Sequence, residues 1–166
     1  MELAESILRL IPATVLLIAL VAKLSIGPQE RAAAVRGLTP GLERSADAVA
    51  TALLLAETVT VALLLSPLSR LGGLATAVLG FAFAFVVGQR LAAGQGGPCG
   101  CMGRFRRITV GPGLLVLDLA LAGLGLAVAV GASLLEAGVI TATIVGSGLL
   151  VQSARIAIVG RRRATS

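Results

Sequence analysis

"LRLIPATVLLIALVAKLSI", residues 8 to 26, is the stretch whose reading decides the fold. Apart from Arg9 and Lys23 it carries no charge. A helix rises ~1.5 Å per residue and needs roughly 20 mainly apolar residues to cross a hydrocarbon core of about 30 Å. The stretch meets that length. It is also longer than the apolar run of a cleavable secretory signal, and Lys23 stands where small cleavage-site residues would be expected, so it should remain as a first span. Four more segments of the same kind follow: about Asp47 to Ser66, Leu71 to Leu91, Val110 to Ala132 and Leu135 to Val159.

Composition agrees. Of 166 residues 57% are hydrophobic and 13% charged, well away from the balance of soluble domains. The expected fold is an all-α integral membrane protein, one domain over residues 1–166, built as a bundle of about five transmembrane helices. Lipid-exposed backbone must satisfy its own hydrogen bonds, which a helix does within itself and a lone strand cannot. Breaks are expected at Gly27 to Ser45, at "SPLSR", at "GQGGPCGCMGRFRR" and in a tight turn around Ser133. Glycines inside the spans, such as Gly123, Gly125, Gly146 and Gly148, suit close helix packing.

The net charge of +6 would suggest a nucleic acid for a soluble protein, but here the arginines gather between and after the apolar runs. They read as topology signals, and no nucleic-acid partner is expected. With Arg161 to Arg163 cytoplasmic, five spans put the N-terminus outside. Arg31, Arg36, Arg44, Arg90, Arg104, Arg106 and Arg107 then fall on the cytoplasmic side, against Arg9 and Arg70 outside. The expected location is the inner (plasma) membrane, multi-pass.

Histidine, tryptophan and tyrosine are absent, which removes a histidine base, a histidine-ligated metal and the usual interfacial aromatic belt. Chemistry is left to thiols, carboxylates, Lys, Arg and the backbone. Ionisable groups inside spans cost ~2.5 to 3.5 kcal/mol at the bilayer centre on insertion scales. Four need a reason: Lys23, Glu57, Asp118 and Arg155. Lys23 and Arg155 lie near cytoplasmic helix ends, where snorkelling to the interface is the simpler account. Glu57 lies about ten residues into its span, or ~15 Å, and Asp118 about eight, or ~12 Å from the same side. Both acids are therefore expected to face an interior polar cluster with Lys23, Gln89, Gln152 or Arg155. A helix-to-helix ion pair explains them structurally, and a proton relay beside a redox site explains them functionally.

Both cysteines of the chain stand in one loop as Cys99-Gly100-Cys101. As a redox pair, one thiolate attacks a disulfide and the other resolves the mixed disulfide. A ring that small is strained, and strained exposed disulfides are labile and oxidising. Gly97, Pro98, Gly100 and Gly103 permit the unusual turn, and Arg104, Arg106 and Arg107 favour the thiolate. Alternatively Cys99, Cys101 and Met102 offer soft ligands for Cu(I) or Hg(II). Structural zinc wants four ligands and would need two copies of the pair. Two inert residues in a glycine-rich turn is the remaining reading.

The chain resembles the MauE branch of the MauE/DoxX-like membrane proteins over roughly residues 8 to 130. The resemblance rests on "AKL" (Ala22 to Leu24), "AET" around Glu57 and "CGCMG" (Cys99 to Gly103), with Met102 where members usually carry Phe. It implies a four-helix DoxX-like core plus one helix, and a role in methylamine utilisation, supporting disulfide formation in a periplasmic dehydrogenase subunit beside thioredoxin-like partners. Cys99 and Cys101 would then be the redox pair, with Lys23 and Glu57 as the family's intramembrane polar residues.

The expected function is thus membrane thiol–disulfide exchange with a thioredoxin-like partner. Catalytic roles fall to Cys99, Cys101, Glu57 and Asp118, and supporting roles to Lys23, Arg104, Gly100 and Gly103. Alternatives are a soft-metal or small-solute transporter or chaperone, and a non-catalytic assembly subunit. A quinone is a compatible electron acceptor, though no residue identifies a quinone site. Other expected partners are the lipid bilayer and, optionally, further copies of the chain. Charge counting puts the cysteines on the cytoplasmic face, whereas direct periplasmic disulfide donation would expose them outside.

Overall fold

The computed structural model describes residues 2–38, 43–94 and 110–164. Among them every regular element is helical: α1 (Glu2–Leu24), α2 (Pro28–Leu38), a single 3-10 turn (Glu43–Ser45), α3 (Ala46–Leu64), α4 (Ser69–Ala92), α5 (Pro112–Val130) and α6 (Leu134–Ala164). Five helices are long and apolar enough to cross a membrane: Ser6–Leu24, Ala46–Leu64, Ser69–Ala92, Pro112–Val130 and Leu135–Ser153. They match the five segments read from the sequence to within a few residues at most ends. The Gly27 to Ser45 break is not all loop, since it contains α2. That helix starts at Pro28, where a missing N–H costs nothing, and it buries Ala32 completely while Gln29, Glu30 and Arg36 stay exposed. Its apolar content is too small for hydropathy to single it out.

The bundle is built around α5, whose span is the most buried of the five. Small residues allow this. A Cβ at Gly80 would lie 2.7 Å from the Ala122 nitrogen and 2.8 Å from the Asp118 carbonyl oxygen, and one at Gly125 would lie 2.6 Å from the Ala77 nitrogen. Helices α4 and α5 therefore touch backbone to backbone, as small-residue contacts permit in membranes. Leu8, Leu16, Val61, Leu64, Leu121 and Val128 form one apolar cluster, and Ala84, Val87, Val110, Leu114, Leu115 and Leu119 another. Asp118 lies on α5 within the stretch of the second cluster, between Leu115 and Leu119.

The turn around Ser133 is as tight as expected. Gly131 closes α5 in the left-handed region (φ 71°), with Ala132 N–H donating to the Ala127 carbonyl at 2.9 Å and Gly131 N–H to the Val128 carbonyl at 3.2 Å. This is a Schellman ending. Ser133 then caps α6 reciprocally with Glu136: its N–H and its hydroxyl both donate to Glu136 Oε2, at 2.8 and 2.9 Å. A Ser-x-x-Glu capping box follows directly on the helix stop.

An intramembrane polar site between four helices

Four helices line a common cavity inside the bundle. Lys23 comes from α1, Glu57 from α3, Phe83 from α4 and Asp118 from α5, and all four line one cavity of about 30 Å³. The Lys23 ammonium pairs with Glu57 Oε1 and donates a hydrogen bond to it. It also lies 5.4 Å from the centroid of the Phe83 ring, within the range of a cation–π contact. Glu57 is fully buried, at 0% exposure, and Lys23 and Asp118 are nearly so at 6% and 8%. The second carboxylate oxygen, Glu57 Oε2, is buried with no hydrogen-bond partner among the described residues.

Local sequence explains the placement. Glu57 is eleven residues past the start of α3 and Asp118 six past the start of α5, or ~16 and ~9 Å along their axes. Lys23 is one residue from the end of α1. Pairing with Glu57 therefore sets the C-terminal end of α1 well inside the length of α3, not level with its start. The expectation that Lys23 snorkels to the interface is corrected accordingly: it is buried and paired with a carboxylate across the bundle, which compensates its charge there.

Of the other partners proposed for the acids, Gln89 is exposed on α4. Gln152 is buried elsewhere, donating from Nε2 to the Gly88 carbonyl at 2.8 Å. The Arg155 side chain lies outside what is described. So do Cys99, Gly100, Cys101, Met102, Gly103 and Arg104, along with Gly97, Pro98, Arg106 and Arg107. The loop that holds them leaves α4 after Gly94, which is left-handed at φ 69°, and enters α5 after Val110. Its two ends thus belong to the most closely packed helix pair. Among the described residues no group of three or more Asp, Glu, His or Cys could hold a metal ion.

Phe83 is the residue that sequence reasoning missed. Nothing in "GFAFAFVVG" separates Phe83 from Phe81 and Phe85, which are exposed on the outer face. Helical phase relative to Glu57 and Asp118 was the only available signal.

Five long apolar helices around a buried charged cluster define a multi-pass helical membrane protein. Residues 1–135 match the family model described as methylamine utilisation protein MauE. The chain belongs to that family, and the matched segment contains Lys23, Glu57, Phe83, Asp118 and both cysteines. No curated protein and no solved structure matches it.

Proposed function

We propose that this protein performs thiol–disulfide exchange at the membrane, with Cys99 and Cys101 as the exchanging pair. The observation that carries the reading is that both thiols of the chain stand in the single loop joining α4 to α5, the helices held in backbone contact at Gly80 and Gly125. One residue separates the two cysteines, so the second thiol is at hand to resolve the mixed disulfide formed by the first. One thiolate attacks a sulfur of the partner's disulfide and expels the other partner sulfur as a thiolate. The second cysteine then attacks the mixed disulfide. Two electrons pass to the partner, its disulfide becomes a dithiol, and the two protons given up by Cys99 and Cys101 end on the partner's sulfurs. Arg104, with Arg106 and Arg107, favours the attacking thiolate, and Gly100 and Gly103 permit the turn that a small ring needs.

Membership of a methylamine utilisation family fits a maturation role in that process, and a thioredoxin-like protein is the partner chemistry this exchange calls for. The arginines around the cysteine loop favour a cytoplasmic loop, with the N-terminus outside the plasma membrane and the C-terminus inside. Glu57 and Asp118, the two acids within the bundle, are the proton-handling groups of this reading.

The test is thiol–disulfide exchange, in liposomes, between the chain and a thioredoxin-like protein supplied either reduced or oxidised. Cys99→Ser and Cys101→Ser should each abolish transfer while the protein inserts normally. Transfer at the wild-type rate by either variant overturns the reading, and stoichiometric Cu(I) binding lost in both would replace it with the soft-metal one.

A further inference from the structure

Helices α4 and α6 flank a groove that α5 floors with Leu115 and Leu119. It measures about 690 Å³, within the roughly 300–1,000 Å³ of small-molecule sites. All three walls belong to membrane spans, so the groove faces hydrocarbon. Along α4 it runs from Phe81, midway through its span, to Gly88, and along α6 from Ile144 to Gln152, one residue before the end of that span. It thus extends roughly 10 Å, from the middle of the bundle to the end where the cysteine loop leaves α4. Among the described residues that line it none is charged, and the polar side chains are Ser147 and Gln152. The Ser147 hydroxyl donates within α6, to the Thr143 carbonyl at 2.8 Å. Gln152 is different. It is only 8% exposed, and one N–H of its amide goes to the Gly88 carbonyl. The second N–H and Oε1 have no partner among the described residues. An amide left unpaired against hydrocarbon is costly, and the partner it calls for is a neutral polar group carried on a lipid-soluble molecule. The α6 wall lies beyond residues 1–135, the segment that matches the family, so family membership does not account for the groove.

We propose that this groove binds an isoprenoid quinone that accepts electrons from the cysteine pair. A ring carbonyl accepts the second Nε2 N–H of Gln152, and the prenyl tail runs past Phe85 and Phe81 toward the middle of the bilayer. In the reduced ring a hydroxyl donates to Gln152 Oε1. A phospholipid would instead bring a phosphate to a lining without a cation, whereas a neutral planar ring suits uncharged walls and the exposed faces of Phe81 and Phe85. The proposal rests on the thiol–disulfide reading and supplies its electron acceptor. Gly88, near the end of α4, and Leu115, near the start of α5, both line the groove, and the cysteine loop joins those two helix ends. Exchange is reversible, and a dithiol partner leaves Cys99 and Cys101 as two thiols. The quinone then takes two electrons and two protons from them: both S–H bonds break, one S–S bond forms, and two O–H bonds form on the ring.

Decylubiquinone and menaquinone-4, added to the full chain in lipid nanodiscs, test this. At least one should bind saturably, with its ring C=O infrared band lowered by the hydrogen bond. Gln152→Leu should weaken binding about tenfold and return the band to its position in lipid alone. Ser147→Phe fills the groove while leaving Gln152 on Gly88, and should weaken binding at least as much. Uptake of both quinones that never saturates, or saturable binding untouched by both substitutions, overturns the proposal. The prereduced wild type should lose its maleimide-reactive thiols when the bound quinone is supplied, and Gln152→Leu should lose them about tenfold more slowly at subsaturating quinone, in step with its weaker binding. Cys99→Ser/Cys101→Ser should bind the quinone as the wild type does, so binding is judged apart from the thiols. Exchange with a thioredoxin-like protein by a chain that binds no quinone, or whose thiols the quinone does not oxidise, overturns this proposal and leaves the thiol reading standing. Quinone binding by a chain that exchanges with no such protein overturns the thiol reading instead, and with it the acceptor role.

Discussion

Lys23 and Glu57 show why a buried ion pair is retained at all. Each charge alone inside the bundle would be costly, and their contact offsets the desolvation only because the partner is fixed by packing. Lys23→Met leaves Glu57 without its cation. The expected loss is that of a buried polar group without a partner, about 1–3 kcal/mol. Thermal unfolding of the detergent-solubilised protein, followed by circular dichroism, should show the lower midpoint, and the Lys23→Met/Glu57→Leu variant should recover most of it. An unchanged midpoint for Lys23→Met would mean that the pair contributes nothing. Phe83→Leu keeps an apolar side chain but removes the ring face beneath the ammonium, and should cost roughly 0.5–2 kcal/mol in the same assay.

Between elements, the contact of α4 with α5 does two jobs. It forms the most intimate helix pair of the bundle, and through Gly80 it touches the turn of α5 that carries Asp118, since a Cβ there would lie 2.8 Å from the Asp118 carbonyl oxygen. Gly80→Val must therefore push the helices apart and carry Asp118 with them. The expected loss is at least the ~1–3 kcal/mol of an overpacked core. A Val variant with full stability would show that the helices separate freely. Gln152 ties α6 to the α4 backbone at Gly88. Gln152→Leu removes one buried hydrogen bond and should cost about 0.5–1.5 kcal/mol, with far less effect on the Lys23 site, because Gln152 does not line that cavity.

At the scale of the molecule, charge is distributed unevenly between the two ends. The end that receives α1, α4 and α6 and starts α3 and α5 carries Arg31, Arg36, Arg44, Arg90, Arg104, Arg106, Arg107 and Arg161 to Arg163. The other end carries Arg9 and Arg70. This asymmetry predicts the compartment of the cysteine loop. A membrane-impermeant maleimide should label Cys99 and Cys101 in inverted membrane vesicles and not in intact cells. Labelling that appears only after mild reduction would show that the pair rests as a disulfide. Labelling of intact cells would invert the topology and place the exchange on the outer face.

The sequence by itself determined the class of the protein and its spans. Runs such as Leu8 to Ile26 are long, apolar and nearly uncharged, and in a bilayer that admits little besides a spanning helix. It also marked Glu57 and Asp118 as residues needing an explanation, because the cost of an ionisable group depends on depth, and depth follows from position along the run. Three things were decided only by the tertiary structure. Lys23 turned inward to Glu57, although its place near a helix end equally suited the interface. Phe83, and not Phe81 or Phe85, met the ammonium group. Gln89 and Gln152 were left out of the site. Each of these depends on how one helix is rotated and shifted against another. Hydropathy averages that information away along a span, whereas backbone contact at glycines such as Gly80 and Gly125 fixes it.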